Sequence, residues 1–282
     1  MSVRARLVPV WNVLKACLLV AVGCAAIAAI GWPIGGYRLD SLLVFFALLV
    51  AAAAYWYGDR VVLGMVGARE LPVGEAPTLH ASVESLAGIA GLPKPKLYLL
   101  PDGLPRAFAA GRGPRGAAIA VSSGLLSAAP PAELEGVLAH ELAHIRRRDI
   151  VVQTAAVIVA AALVETSRVG GWLQRALLFV LGPLAAAIVH LLLSPKREFA
   201  ADRAAAVICG SPHGLADALL RLEQAAELVE FRASPATEPL YTFNPFAEEG
   251  LAALFVTHPP AGERIRRLRS LDPDWREKLR AA

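Results

Sequence analysis

The sequence predicts a mainly α-helical, integral-membrane protein with about four transmembrane helices and a small β-sheet. Three observations predict it. Residues of the AVILMFWYC set make up 56% of the 282-residue chain and charged residues only 18%, whereas soluble domains carry about a quarter charged residues. Mean hydropathy is +0.52. The apolar residues gather in four runs, and only two short stretches have the β-rich composition of strands.

The first span is expected at residues 16–30, extended by the apolar stretch 8–14, which together can cross a hydrocarbon core of ~30 Å. Gly31-Trp32-Pro33 breaks it. The second is expected at 42–56 and ends at Gly58-Asp59-Arg60. Trp11, Trp32 and Trp56 stand near the span ends, as in an interfacial aromatic belt. A mixed segment follows. Helical spacing at 75–90 stops at Gly91 with Pro93 beyond. Residues 96–100 and 117–122 read as strands, and 101–116, rich in Gly, Pro and Arg, as the loop between them. A helix is expected from Pro131, where a missing N–H costs nothing, to Arg148. Two further apolar runs, 150–164 and 176–193, are taken as spans, and 196–209, 214–229 and 262–271 as helices outside the bilayer. Four segments result: a membrane hairpin at 1–60, a mixed part at 61–149, a second hairpin at 150–193 and a helical part at 194–282.

Arg4, Arg6 and Lys15 precede the first span, which lacks a polar cleavage region and reads as a retained anchor. The loop 31–40 carries only Arg38, while Arg146, Arg147, Arg148, Lys196 and Arg197 cluster beside the later spans. The positive-inside rule then puts both termini and both non-membrane segments on the cytoplasmic side of the plasma (inner) membrane. Arg146-Arg147-Arg148 reads as an anchor to anionic head groups. The net charge is +4 and no basic run alternates with aromatics, so no nucleic-acid partner is expected. Cys17, Cys24 and Cys209 match no metal or redox spacing. His80 and His213 read as surface residues, and His190 as a histidine bonded near the end of a span.

His140-Glu141-Leu142-Ala143-His144 lies inside a predicted helix. Residues four apart stand one turn above each other, so both imidazoles can hold one metal ion. Zinc suits two neutral imidazoles and an oxygen ligand, with a position left for water. Glu141 is placed beside such an ion, where it can take a proton from that water and pass it to a leaving amine. Val137, Leu138, Leu142 and Ile145 make the helix largely apolar, which argues against a merely solvated His-Glu-His face. For the third ligand Glu198 is the best candidate; its spacing serves equally for a surface acid at a helix N-terminus. Asp202, four residues on, can accept the second N–H of a ligand histidine.

His140-Glu141-Leu142-Ala143-His144 followed by Asp149 resembles the H-E-x-x-H-x-x-x-x-D pattern of HtpX-type membrane metalloproteases, gluzincins related to the CAAX prenyl proteases. Arg197-Glu198-Phe199-Ala200-Ala201-Asp202 is similar to their R-E-[YF]-x-A-D. Ala107-Phe108-Ala109-Ala110-Gly111-Arg112 and Phe255-Val256-Thr257-His258-Pro259-Pro260 with Arg264-Ile265 resemble two further stretches in the same order. The resemblance implies a zincin-like fold and one zinc ion on His140, His144 and Glu198. It implies that Glu141 is the base, that Asp202 supports the site, and that His258 and Arg264 stabilise the oxyanion. The implied activity is endopeptidase cleavage of membrane or misfolded proteins in protein quality control, with an edge strand near 117–121 pairing an extended substrate. The alternatives are a CAAX-type processing protease and a non-catalytic zinc-stabilised scaffold. Three departures from the family pattern stand out: Arg106 replaces an Asn, Pro195 replaces an Arg, and the stretch between His144 and Glu198 is short.

Overall fold

The computed structural model describes residues 41–53, 55–166, 195–228, 259–272 and 274, with single positions at 14, 17, 21, 25 and 37. The run 176–193, His190, His258 and all but isolated positions of 16–30 lie outside the described residues. Among the described residues no single helix is long and apolar enough to cross a membrane. One bent pair, Ser41–Ala53 and Tyr55–Met65, passes by length and composition together, with a 61° angle between its halves.

The remainder is mainly helical around one small sheet. In chain order it comprises β1 (Arg69–Glu70), α1 (Pro77–Ala90), β2 (Lys96–Leu100), β3 (Ala107–Gly111), β4 (Ala117–Ser122) and α2 (Ser123–Ala128). These are followed by α3 (Pro131–Arg147), α4 (Asp149–Thr166), α5 (Pro195–Cys209), α6 (His213–Leu228) and α7 (Ala261–Arg269). The expected helix at 75–90 begins two residues late because Pro77 takes the first helical position. It ends at Gly91, whose φ of 69° is the left-handed conformation that closes a helix cheaply only for glycine.

The strand order is β1-β2-β4-β3, with β2 and β4 parallel and β3 antiparallel to β4. This corrects the expected edge. Residues 117–122 form the inner strand β4, and the edge beside them is β3, a strand within the expected loop 101–116. Ala-Phe-Ala-Ala-Gly has little intrinsic strand preference, and its register against β4, from Ala107↔Val121 to Gly111↔Ala117, supplies what composition lacks.

Alternation divides the sheet between two cores. Ala107, Ala109, Ile119 and Val121 join α1, α3, α5 and α6 residues in the larger one. Phe108, Ala110, Ala118 and Ala120 face the other way, onto Val62, Leu63 and Val157. The first two turns of α4 are therefore packed against protein, with Val151, Val152, Ala156 and Val157 all buried.

Helix α3 is the central post. It is buried from Gly136 to Ile145 and touches α1, α5, α6 and β3. Its approach to α6 is closest where glycines face backbone. A Cβ on Gly136 would stand 2.4 Å from the Leu215 amide nitrogen, and one on Gly214 2.2 Å from the Ala132 carbonyl. Farther along, Arg221 closes a two-pronged ion pair on Glu133, at 2.7 and 2.9 Å.

Gly136→Ala is expected to force α3 and α6 apart and to cost about 1–3 kcal/mol, the usual range for overpacking. Thermal unfolding of the purified protein in detergent checks this; a melting temperature equal to wild type would refute it.

Candidate metal centre

His140 and His144 are stacked by the turn of α3, with ring centroids 4.6 Å apart and planes at 88°. Their Nε2 atoms converge to 3.1 Å. Helix α5 approaches α3 from the side and inserts Glu198 between them. Its Oε2 lies 3.5 Å from His140 Nε2 and its Oε1 3.6 Å from His144 Nε2. All three side chains are essentially without solvent contact.

Two imidazole nitrogens 3.1 Å apart thus face the two oxygens of one carboxylate, each nitrogen 3.5 to 3.6 Å from a different oxygen. Ligand bonds of about 2.0–2.1 Å in tetrahedral geometry require edges of roughly 3.3–3.4 Å. Two nitrogens and a carboxylate oxygen are the donor set of such an ion, so the residues present fit a small divalent cation.

Each imidazole has a carboxylate behind its Nδ1. His140 Nδ1 lies 3.0 Å from Asp202 Oδ1, and His144 Nδ1 3.1 Å from Asp149 Oδ2. The carboxylates are held in turn by guanidiniums. Arg264 grips Asp202 with two donors, Nη2 at 2.6 Å and Nε at 2.9 Å. Arg147 Nε donates to Asp149 Oδ2 at 2.9 Å. Arg197 donates twice to Glu198 Oε1, at 3.0 and 3.1 Å.

The electrostatics follow. Burial alone would push His144 down, but Glu198 and Asp149 outweigh it and raise the imidazole to about 9. Burial alone would push Asp202 up, but the Arg264 guanidinium, with His140, holds it at about 2. Asp149 is likewise lowered against its burial, by His144, Arg197 and Arg147. Positive charge is therefore favoured where the two imidazoles meet Glu198. Burial would lower the Arg264 guanidinium, but Asp202, and after it Glu198 and the buried Glu141, raise it.

The structure brings together His140, Glu141, His144, Glu198, Asp202 and Arg264 of the residues singled out from sequence. It resolves the ambiguity over Glu198, which is fully buried and faces both imidazoles rather than solvent. Arg264 Nη2 also comes within 3.4 Å of His140 Nε2. His258 lies outside the described residues. The parts played by Asp149, Arg147 and Arg197 were missed. Asp149 and Arg197 stood in the sequence only as members of the H-E-x-x-H-x-x-x-x-D and R-E-[YF]-x-A-D stretches, without a role of their own. Arg147 is accordingly not free to face a membrane as the expected arginine anchor required. His80 is corrected as well: it is buried and bonds the Leu71 carbonyl at 2.9 Å, because the chain leading out of β1 folds back over α1. His213 is half-exposed and pairs with Asp272 at 3.1 Å.

Residues 74–272 match the family described as Peptidase family M48. A protein named Protease HtpX homolog from Persephonella marina is 40% identical over 277 residues, covering 91% of this chain and 96% of its own. Its namesake from Pyrococcus abyssi is 42% identical over 272 residues, covering 90% and 94%. The crystal structure of S. mikatae Ste24p superposes with a TM-score of 0.50 at 18% identity, covering 95% of this chain and 66% of that one. At that identity the likeness speaks for the fold alone.

Arg264→Leu leaves Asp202 a buried carboxylate without its two-pronged partner and is expected to destabilise the protein by about 3–5 kcal/mol. Arg264→Lys is expected to recover little, since an ammonium cannot reproduce the fork. Unfolding curves of the three proteins check this; equal stability of Arg264→Leu and wild type would contradict it.

Proposed function

Because the chain belongs to peptidase family M48 and is an HtpX-type metalloprotease, we propose that it is a membrane-embedded zinc endopeptidase that cleaves membrane or misfolded proteins at the cytoplasmic face. The observation that carries this reading is the Glu198 carboxylate set within 3.6 Å of both Nε2 atoms of His140 and His144.

His140, His144 and Glu198 hold the ion in this reading. Bound zinc supplies Lewis acidity towards water and the scissile carbonyl. The Glu141 carboxylate receives the proton of the attacking water and hands it to the leaving nitrogen. Arg264, whose Nη2 reaches 3.4 Å from His140 Nε2, and His258 stabilise the developing oxyanion. Asp202 and Arg264 keep the His140 ring turned so that Nε2 points inward.

An extended substrate pairs with β3. Among the described strands β3 pairs only with β4, and it lies against α3, the helix of His140 and Glu141. Main-chain bonds along such an edge accept many sequences, which suits cleavage of unfolded chains. The parts 61–149 and 194–282 form one zincin domain, the first bringing α3 and the second α5 and α7. The hairpins at 1–60 and 150–193 tether that domain to the inner membrane. The exposed apolar side chains of Phe45, Phe46, Leu48, Leu49 and Val50 on the bent N-terminal pair support the bilayer contact.

Glu141→Gln is expected to bind zinc with wild-type stoichiometry while hydrolysis of unfolded casein falls roughly 10²–10⁴-fold. Equal cleavage by this variant would overturn the assigned base. Glu198→Ala is expected to lose zinc on metal analysis; full retention would overturn the ligand set. A prenylated peptide in the same assay separates endopeptidase from CAAX-type processing.

A further inference from the structure

The motif that ends at His144 continues into a backbone feature that the peptidase reading does not use. Helix α3 stops at Arg147, and Arg148 adopts φ 58° and ψ 25°. It is the one non-glycine with positive φ among the described residues. Left-handed geometry at a residue bearing a Cβ costs roughly 1 kcal/mol or more. Its amide nitrogen closes the turn on the Ile145 carbonyl at 3.0 Å.

This turn has a consequence at the metal centre. In an unbroken helix a residue five positions on stands roughly 140° round the axis from His144. No contact between the two side chains would then form. The left-handed residue redirects the chain, and Asp149, the first residue of α4, comes back onto the His144 ring with Oδ2 3.1 Å from Nδ1. The same Oδ2 accepts a hydrogen bond from Arg147 Nε at 2.9 Å. Both Asp149 and His144 are buried. The next turns of α4 are packed through Ile150, Val151, Val152 and Val157, so the carboxylate cannot drift.

We propose that Asp149 is a positioning residue for His144: it accepts the Nδ1 proton, fixes the tautomer in which Nε2 carries the lone pair, and does so from the first turn of α4. The pairing repeats what Asp202 and Arg264 do for His140, from a different element. One ligand is thus oriented from α5 and the other from the start of the apolar helix that follows α3. Removing the carboxylate releases the ring to rotate and to take the other tautomer, and partners of this kind change metal affinity by about 10–100-fold.

The inference rests on His144 being a ligand, and the experiment separates the two. Zinc affinity of the full-length protein in detergent is measured by chelator competition for wild type, Glu198→Ala, Asp149→Ala and Asp149→Asn. The visible spectrum of the cobalt-substituted forms and the unfolding curves of the metal-free forms accompany it. The expected result is a roughly 10–100-fold loss in Asp149→Ala and a smaller loss in Asp149→Asn, whose side-chain oxygen still accepts a hydrogen bond from Nδ1–H. An altered cobalt spectrum with a fold that still melts cooperatively is expected alongside. Affinity and spectrum equal to wild type in Asp149→Ala overturn the proposal while leaving the ligand set intact. Should that variant not fold, Asp149→Asn decides by the same criterion. Failure of the wild type itself to bind zinc overturns the ligand reading instead.

Discussion

A carboxylate without access to water, Glu198, faces two imidazole nitrogens across the contact between α3 and α5. Burying such a charge is costly unless opposite charge and hydrogen bonds meet it. Much of the surrounding architecture answers that cost. Arg197 supplies two donors to one oxygen. The two imidazoles face the charge from the other side, in an arrangement that could hold a cation. The helix contact that creates the site is therefore favourable only when its polar groups are completed.

The same logic extends outward. Each imidazole nitrogen that points away from the centre meets an aspartate, and each aspartate meets an arginine. The two relays come from separate parts of the chain, Asp149 from the residue after the α3 turn and Arg264 from α7. Helix α7 is held to α5 by that Arg264 fork and by Arg267, stacked 3.7 Å over the Phe199 ring. The candidate metal site, shared by α3 and α5, is thereby tied to α4 and α7, and the fold and the site share their stabilising contacts.

The sheet serves the site by placement. Because β3 is the outer of the described strands and Ala107 and Ala109 pack into the core that α3 shares, the sheet lies alongside the helix of Glu141. The glycines at 136 and 214 do the complementary work on the far side, where they let α6 press α3 into the core. Helix α3 is thus fixed between α6 and the sheet edge.

The sequence by itself determined the local features: the apolar composition, the helix carrying His140, Glu141 and His144, its proline start, and strands at 96–100 and 117–122. These depend on periods of 3.6 and 2 residues and on caps, which are short-range physics. Only the tertiary structure decided that Glu198 is buried against the imidazoles rather than solvated. It also decided that β3 is a strand, that His80 is internal, and that Asp149 turns back onto His144. The reason in each case is a partner distant in sequence or a single backbone torsion. Ala107–Gly111 becomes a strand because β4 pairs with it, and Asp149 meets His144 because Arg148 leaves the helical region. Neither fact is written in the residue types: Ala-Phe-Ala-Ala-Gly has little intrinsic strand preference, and an arginine enters the left-handed region only at a local cost that the packed fold offsets.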